Sequence, residues 1–228
     1  MLKIKIVGVA GSVRKNSNTE ILVKKALKAA ESLGEVETEF ISLAEKKVEF
    51  CRACFNCWRE LGKCVIEDDV PKILEKLCKS DGMIFGSPVY YGTISAKLKA
   101  LMDRCVSILL PPKPVTSFEW DKLKNMPLTS KLRNKVGGAV VVGGFRGGGH
   151  EYALSAIHHF FMINDMFVVV DGGIRTYEIH PHFGATALGI RKGEVLKDEF
   201  GVKLAESVGL RVAEATKIVK AGLGLMKP

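Results

Sequence analysis

The chain has 228 residues, 47% of them hydrophobic and 26% charged, and its formal net charge is +9. This composition is typical of an ordinary globular protein and excludes disordered, collagen-like and coiled-coil chains. The length fits a single α/β domain over residues 1–228, which can bury a core without disulfides. No run approaches the ~20 apolar residues of a membrane span, and residues 1–10 lack a signal peptide, so we expect a cytoplasmic protein with no membrane partner.

The positive charge has two interpretations. The basic residues are dispersed and lack interleaved aromatic residues or a known binding motif, which argues against nucleic acid as a partner. They fit either a solvated, lysine-rich surface or the attraction of an anionic partner, such as a nucleotide or an acidic electron-carrier protein.

Short apolar runs alternate with amphipathic stretches along the chain, which predicts alternating strands and helices. Strands are predicted over 4–10, 36–43, 82–86, 136–142 and 166–171. Helices are predicted over 19–33, 95–109, 150–164 and 203–221, and another, capped by Asp68 or Asp69, ends at Cys78. This alternation is typical of a doubly wound parallel sheet with right-handed crossovers.

Two stretches, 110–134 and 172–201, fit none of these elements. The first, a proline-rich insert, carries several apolar residues: Leu109, Leu110, Val115, Phe118, Trp120 and Leu123. Apolar side chains in an extended loop usually mark an interface, so we expect self-association through this insert. The alternative is that the insert folds back onto its own subunit.

The turn after the first strand has the composition of an anion site. It lies between a buried strand and a helix N-terminus, where backbone N–H groups and the helix dipole attract phosphate. Its candidate phosphate ligands are Ser12, Arg14, Ser17, Asn18 and Thr19. The turn matches neither the dinucleotide fingerprint G-x-G-x-x-G nor a Walker A loop. The alternative is a purely structural turn.

Two further loops follow the third and fourth strands, over residues 86–93 and 143–150. In a doubly wound sheet, ligands bind outside the carboxyl ends of the strands, so all three loops should meet at one edge. The first of these two loops carries Tyr90 and Tyr91, which offer a flat wall for a planar ring, or else a core-packing pair. The second is glycine-rich and permits close approach of a ligand to the backbone.

The most specific motif is the cysteine set Cys51, Cys54, Cys57 and Cys64, with the spacing C-x2-C-x2-C-x6-C. Such compact spacing suits a cubane iron–sulfur cluster, in which each thiolate holds one iron. Tetrahedral zinc usually takes two well-separated pairs, but zinc or free thiols remain alternatives. Cys78 and Cys105 lie on predicted helices and are interpreted as small core residues.

The histidines carry no catalytic pattern. His158 and His159 lie within a predicted helix and are interpreted as structural. No Ser-His-Asp set indicates hydrolysis, because Ser87 lacks the context of a nucleophile elbow.

Three segments together, GSVRKNSNT, SPVYYGTISAKLKALMDR and GGFRGGGHE, resemble the NADPH-dependent FMN reductase branch of the flavodoxin-like superfamily. The four cysteines followed by Asp68 and Asp69 resemble its iron–sulfur flavoprotein subgroup. The resemblance covers roughly residues 3–108 and 136–171. It implies a flavodoxin-like five-stranded parallel sheet of order 2-1-3-4-5, with a cysteine-rich loop insert at 50–65.

The resemblance also implies cofactors and partners. Each subunit would hold FMN and a [4Fe-4S] cluster, the cluster on the four cysteines. The phosphate would lie on the first loop, and the flavin would be lined by Pro88, Val89, Tyr90, Tyr91, Gly92, Thr93, Gly144, Phe145, Arg146 and Gly147. Members are cytoplasmic homodimers or homotetramers that exchange electrons with ferredoxin-like carriers and reduce oxygen or peroxide. No side chain need act as a covalent catalyst.

Three functions follow as hypotheses. The first is an oxidoreductase that transfers electrons between a ferredoxin-like one-electron donor and FMN, and then to a small acceptor such as oxygen, peroxide or a quinone. The second is an NAD(P)H-dependent FMN or quinone reductase without a cluster. The third is a non-catalytic FMN-binding or redox-sensing module.

Overall fold

A computed structural model describes residues 3–145, 147–171 and 183–226. The strands are β1 (Ile4–Ala10), β2 (Val36–Ser42), β3 (Gly82–Pro88), β4 (Leu109–Leu110), β5 (Thr129–Ser130), β6 (Val136–Gly143), β7 (Phe167–Val168) and β8 (Ala185–Leu188). The helices are α1 (Asn18–Glu31), α2 (Asn56–Arg59), α3 (Val70–Lys79), α4 (Ala96–Arg104), α5 (Trp120–Leu123), α6 (His150–Ile163) and α7 (Glu199–Leu225). Short 3-10 turns cover Cys105–Ile108 and Glu194–Lys197.

The central sheet is parallel and has the order β2-β1-β3-β6-β7, which confirms the predicted flavodoxin-like order. Its outer position differs from the prediction, because two short strands share it. β7 pairs with the start of β6, and β8 pairs with the end of β6. The sheet therefore has six strands, and the expectation that 172–201 holds no element is wrong for the part the structure describes.

Helices cover both faces of the sheet. One core lies under α3, α4 and α6, and the other lies under α1 and α7. Strand β1 contributes Val7 and Val9 to the first core and Ile4 and Ile6 to the second, which explains its unbroken apolar sequence. In the described part of the chain, no helix is both long and apolar enough to cross a bilayer.

The proline-rich insert packs against its own chain. The Val115 N–H donates to the Trp58 carbonyl at 2.9 Å, and the rings of Phe118 and Phe55 lie 5.5 Å apart. Val115 is buried, and Leu109, Leu110, Phe118 and Leu123 are half-buried. The premise that this loop exposes an apolar surface for self-association is therefore wrong for these side chains. The insert folds back, and it does so onto the cysteine segment.

His158 on α6 is buried, as the structural interpretation requires, and its Nε2 has no hydrogen-bond partner among the described residues. Burial, with a smaller contribution from His159, lowers the pKa of His158 to about 4. The His158 imidazole is therefore protonated near pH 6.5 in the unfolded state but only near pH 4 in the folded state. We expect this histidine to cost roughly 3 kcal/mol of stability as the pH falls through that window.

Urea unfolding of His158→Leu between pH 7 and pH 4 measures this cost. The variant should lose much less stability than the wild type on acidification. His159→Leu is the matched control, because His159 is the exposed neighbour and its removal takes away only the smaller contribution, so most of the acid sensitivity should remain. Equal acid sensitivity of His158→Leu and the wild type would contradict the assignment.

Candidate flavin site and four-cysteine cavity

The first loop begins where β1 ends and is joined directly to the end of β3. The Gly11 N–H donates to the Gly86 carbonyl at 2.7 Å, and the Ser95 hydroxyl donates to the Gly11 carbonyl at 2.6 Å. Ser95 also caps α4 by accepting the Leu98 N–H at 3.2 Å. The first two loops therefore start side by side at the carboxyl edge of the sheet.

Within the first loop, hydroxyl groups organise the backbone around the start of α1. The Ser12 hydroxyl accepts the Arg14 N–H at 3.1 Å, and Ser17 caps α1 by accepting the Glu20 N–H at 3.3 Å. Asn18 and Thr19 are buried in the first turn, whereas Arg14 is exposed. A helix N-terminus ringed by these groups has the donors that a phosphate requires.

Glu20 is a residue of this loop that the sequence analysis missed. Its carboxylate accepts the Asn16 N–H at 3.0 Å and the Ser42 hydroxyl at 2.5 Å, and it is buried. The signal was present in the sequence, because Ser17 and Glu20 have the S-x-x-E spacing of a capping box. Glu20 fixes the shape of the loop and connects it to the end of β2.

The segment 188–194 also belongs to this site and was missed. The Asn18 amide donates from Nδ2 to the Arg191 carbonyl at 2.9 Å. The Glu194 carboxylate holds the segment in place by accepting the N–H groups of Ile190 and Arg191, both at 2.9 Å. Asn18 Oδ1 is buried without a partner in the described part of the chain, and as an acceptor it is free to receive a hydrogen bond from a hydroxyl or N–H group.

The second loop forms a tight turn with the two tyrosines at its tip. Tyr90 and Thr93 exchange backbone hydrogen bonds of 2.9 and 3.1 Å, and the central residues Tyr91 and Gly92 have φ of +48° and +80°. This is the geometry of a type I′ turn, which is unfavourable for a tyrosine. The Tyr91 side chain is fully exposed, so the alternative of a core-packing pair is excluded for it. Pro88 is buried and Val89 is half-buried at the base of the turn.

The third loop contacts the second through its backbone. Gly149 has φ of +97°, and a Cβ there would lie 2.5 Å from the Gly92 Cα atom, so only glycine fits. Gly144 and Phe145 are exposed in this loop, as is Gly147. Arg146, also predicted to line the flavin, lies outside the described residues. The structure thus brings the three predicted loops to one edge of the sheet.

The four cysteines line one cavity of about 310 Å³. Cys57 is buried on α2, Cys51 and Cys64 are partly buried, and Cys54 is exposed. Burial, and secondarily the neighbouring Cys64, raises the pKa of the Cys57 thiol. Within the described ranges, no three His, Cys, Asp or Glu side chains are placed to hold a single metal ion. The donor set itself, four thiols around one cavity, is the set that an iron–sulfur cluster uses.

A buried ion pair stands beside these cysteines, and the sequence did not reveal it. Arg104, at the end of α4, lines the same cavity and pairs with Asp68 at 2.7 Å. Burial opposes the ionisation of Asp68, but hydrogen bonds from Arg104 and from the backbone of Glu49 and Val70 outweigh it and lower its pKa. The bond from the Val70 N–H, at 3.1 Å, agrees with the predicted role of Asp68 at the start of α3.

The other two cysteines are not among the residues that line the cavity. Cys105 is buried in the core under α4, and the partly buried Cys78 packs against the same core. Burial raises the pKa of both thiols. Both agree with the interpretation as core residues.

The comparisons with known proteins come from sequence and from structure. The family model for NADPH-dependent FMN reductase matches residues 4–175. An iron–sulfur flavoprotein of Methanocaldococcus jannaschii is 42% identical over 95% of this chain and 100% of its own length. An iron–sulfur flavoprotein of Methanosarcina thermophila is 35% identical over 95% of this chain and 97% of its own.

Solved structures show the same fold at low sequence identity. A flavodoxin from the domain Archaea aligns over 94% of this chain and 99% of its own, with a TM-score of 0.53 and 15% identity. A flavone reductase aligns over 95% of this chain with a TM-score of 0.61 and 17% identity, and the chain spans 64% of that protein. The chain therefore belongs to the NADPH-dependent FMN reductase family and, within it, to the iron–sulfur flavoproteins.

Proposed function

We propose that this flavin-dependent oxidoreductase takes single electrons from a ferredoxin-like carrier through a [4Fe-4S] cluster to FMN, and delivers them to a small acceptor such as oxygen, peroxide or a quinone. The observation that carries the proposal is that all four motif cysteines line one cavity. The names of the related iron–sulfur flavoproteins support the same assignment.

The residues divide between the two cofactors. Cys51, Cys54, Cys57 and Cys64 would hold the cluster. The FMN phosphate would lie on the first loop, with Arg14 supplying charge and Ser12, Ser17, Asn18 and Thr19 supplying polar groups. The flavin ring would lie among the second and third loops, against the residues from Pro88 to Thr93 and Gly144, Phe145 and Gly147, with Arg146 as a further candidate. The cluster supplies one-electron chemistry, and the flavin supplies one- or two-electron chemistry.

The surface around the cysteines suits an acidic carrier. Arg52 is exposed between two of the motif cysteines and lines the cavity. Arg59 is also exposed, and its guanidinium lies 4.7 Å from the Phe118 ring centroid and donates to the Cys54 carbonyl at 3.1 Å. Together with the net charge of +9, these residues favour association with a negatively charged protein.

We also propose a homodimer or homotetramer. Met162, Ile163 and Phe167 are 53%, 69% and 50% exposed at neighbouring positions on α6 and β7. Exposed apolar side chains of this size favour association. Sedimentation at micromolar concentration tests the proposal, and a monomer would refute it.

The second candidate is an NAD(P)H-dependent FMN or quinone reductase without a cluster, which the description of the matching family favours. Anaerobic purification followed by iron, labile-sulfide, zinc and flavin assays separates the two. We expect the protein to contain FMN, and to contain iron and labile sulfide in amounts equal to each other. We also expect a reduced ferredoxin-like protein to reduce the cluster. Stoichiometric zinc without labile sulfide would overturn the electron-transfer proposal and favour the second candidate.

A further inference from the structure

The buried ion pair beside the cysteine cavity is held by three hydrogen bonds of the Arg104 guanidinium. The Arg104 Nη1 donates to Asp68 Oδ2 at 2.7 Å, and Nη2 donates to Asp68 Oδ1 at 3.2 Å. Nη1 also donates to the Glu49 carbonyl at 3.1 Å. The two side chains are 1% and 0% exposed. Such a bidentate pair fixes the position and the plane of the guanidinium.

One nitrogen of the Arg104 guanidinium takes part in none of these hydrogen bonds. Its Nε is buried and has no hydrogen-bond partner among the described residues. Arg104 and Cys64 line the same cavity. A buried donor without an acceptor is destabilising, so this N–H is available to a group bound in the cavity that Arg104 lines.

We infer that Arg104 is a positioning residue of the four-cysteine site, whose free Nε–H would donate to a sulfur of the cluster held there and whose fixed charge raises the reduction potential of that cluster. The inference rests on the proposed function, because it concerns the same cluster. Asp68 contributes to the same effect, because it fixes the orientation of the guanidinium and partly neutralises its charge.

The direction of the effect follows from electrostatics. Accepting one electron from the carrier adds a negative charge to the cluster and its thiolates. Hydrogen bonds to the sulfurs and nearby net charge are among the factors that set cluster potentials. A fixed cation and a free N–H donor beside the cysteines favour the reduced state, whereas the carboxylate of Asp68 disfavours it. Their removal should therefore shift the midpoint potential in opposite directions.

The experiment is a mediated redox titration of the cluster, followed by electron paramagnetic resonance, in wild type, Arg104→Lys and Asp68→Asn. Lysine keeps a positive charge but loses the Nε–H and the forked geometry. We expect Arg104→Lys to lower the equilibrium constant for one-electron reduction about tenfold, a shift of about 59 mV to lower potential. Asp68→Asn should shift the midpoint to higher potential. Arg211→Lys is the matched control, because Arg211 pairs with Glu214 on α7 and does not line the cavity, and it should shift nothing.

Opposite shifts distinguish tuning from a merely structural role, which would reduce cluster content in both variants and move both midpoints together or not at all. Unchanged midpoints in loaded Arg104→Lys and Asp68→Asn, or shifts in the same direction, would overturn the inference and leave the proposed function intact. If Arg104→Lys does not load a cluster, Asp68→Asn alone decides by the sign of its shift. A wild type without labile sulfide would overturn the proposed function and this inference together.

Discussion

Alanine at Cys51, Cys54, Cys57 or Cys64 is expected to remove the broad iron–sulfur absorbance and to stop reduction by a ferredoxin-like donor, while FMN stays bound. Each of the four side chains lines the same cavity, so each loss leaves one corner of a cubane without its thiolate. The flavin loops are built on other elements, β1, β3 and β6, and do not depend on this segment. Visible spectra, sulfide assays and flavin content of the anaerobically purified variants measure both parts.

The matched controls are Cys78→Ala and Cys105→Ala. Both residues pack with the core under α3 and α4 rather than lining the cavity, so both variants should keep the cluster and the flavin. The Cys105→Ala variant should lose some stability, because it removes a buried sulfur from a packed core. Equal loss of sulfide from the motif variants and from the controls would contradict the assignment of the four ligands.

The double substitution of Arg14→Ala and Ser17→Ala is expected to weaken FMN binding severely. Charge-assisted hydrogen bonds to a phosphate contribute ~1.5–3 kcal/mol each, so losing two should raise the Kd at least about a hundredfold. Ser17 also caps α1, so some helix stability will be lost with it. Fluorescence titration of the apoprotein with FMN gives the affinities.

Lys15→Ala serves as the control for the loop. Lys15 is a neighbouring basic residue in the same turn, but its ammonium pairs with Glu45 instead. Its removal should leave the FMN affinity within a few-fold of the wild type. If the double variant binds FMN as tightly as Lys15→Ala does, the phosphate does not lie on this loop.

Much of the fold could be predicted because its signals are local. The strands that became β1, β3 and β6 are continuous apolar runs, and the loops after them carry the glycines, hydroxyls and prolines that turns at a ligand edge require. The order of the sheet followed from the family resemblance. The positions of the loops then followed from the rule that parallel strands end at one edge.

The missed features depend on contacts between distant segments. β8 is only four residues long and is a strand because the end of β6 offers it a partner. Arg104 and Asp68 lie 36 residues apart, and nothing in the helical pattern around Arg104 marks it as buried. The insert was expected to be exposed because its partners, Phe55 and Trp58, precede it by about sixty residues. In the segment that holds them, the sequence pattern drew attention only to the cysteines.

The packing of the insert on the cysteine segment determines which part of the molecule unfolds first. Phe55, Trp58 and Phe118 form a small aromatic group, with ring centroids 5.0 and 5.5 Å from Phe55, that lies outside the two cores of the sheet. Regions with few contacts to the main core open independently of global unfolding. The cysteine segment and the insert should therefore unfold locally as one cooperative unit. Their amide protons should exchange together and faster than those of the sheet. Oxidative loss of the cluster would then be a local event. The sheet and the flavin loops would remain folded, and a new cluster could be inserted on the same cysteines.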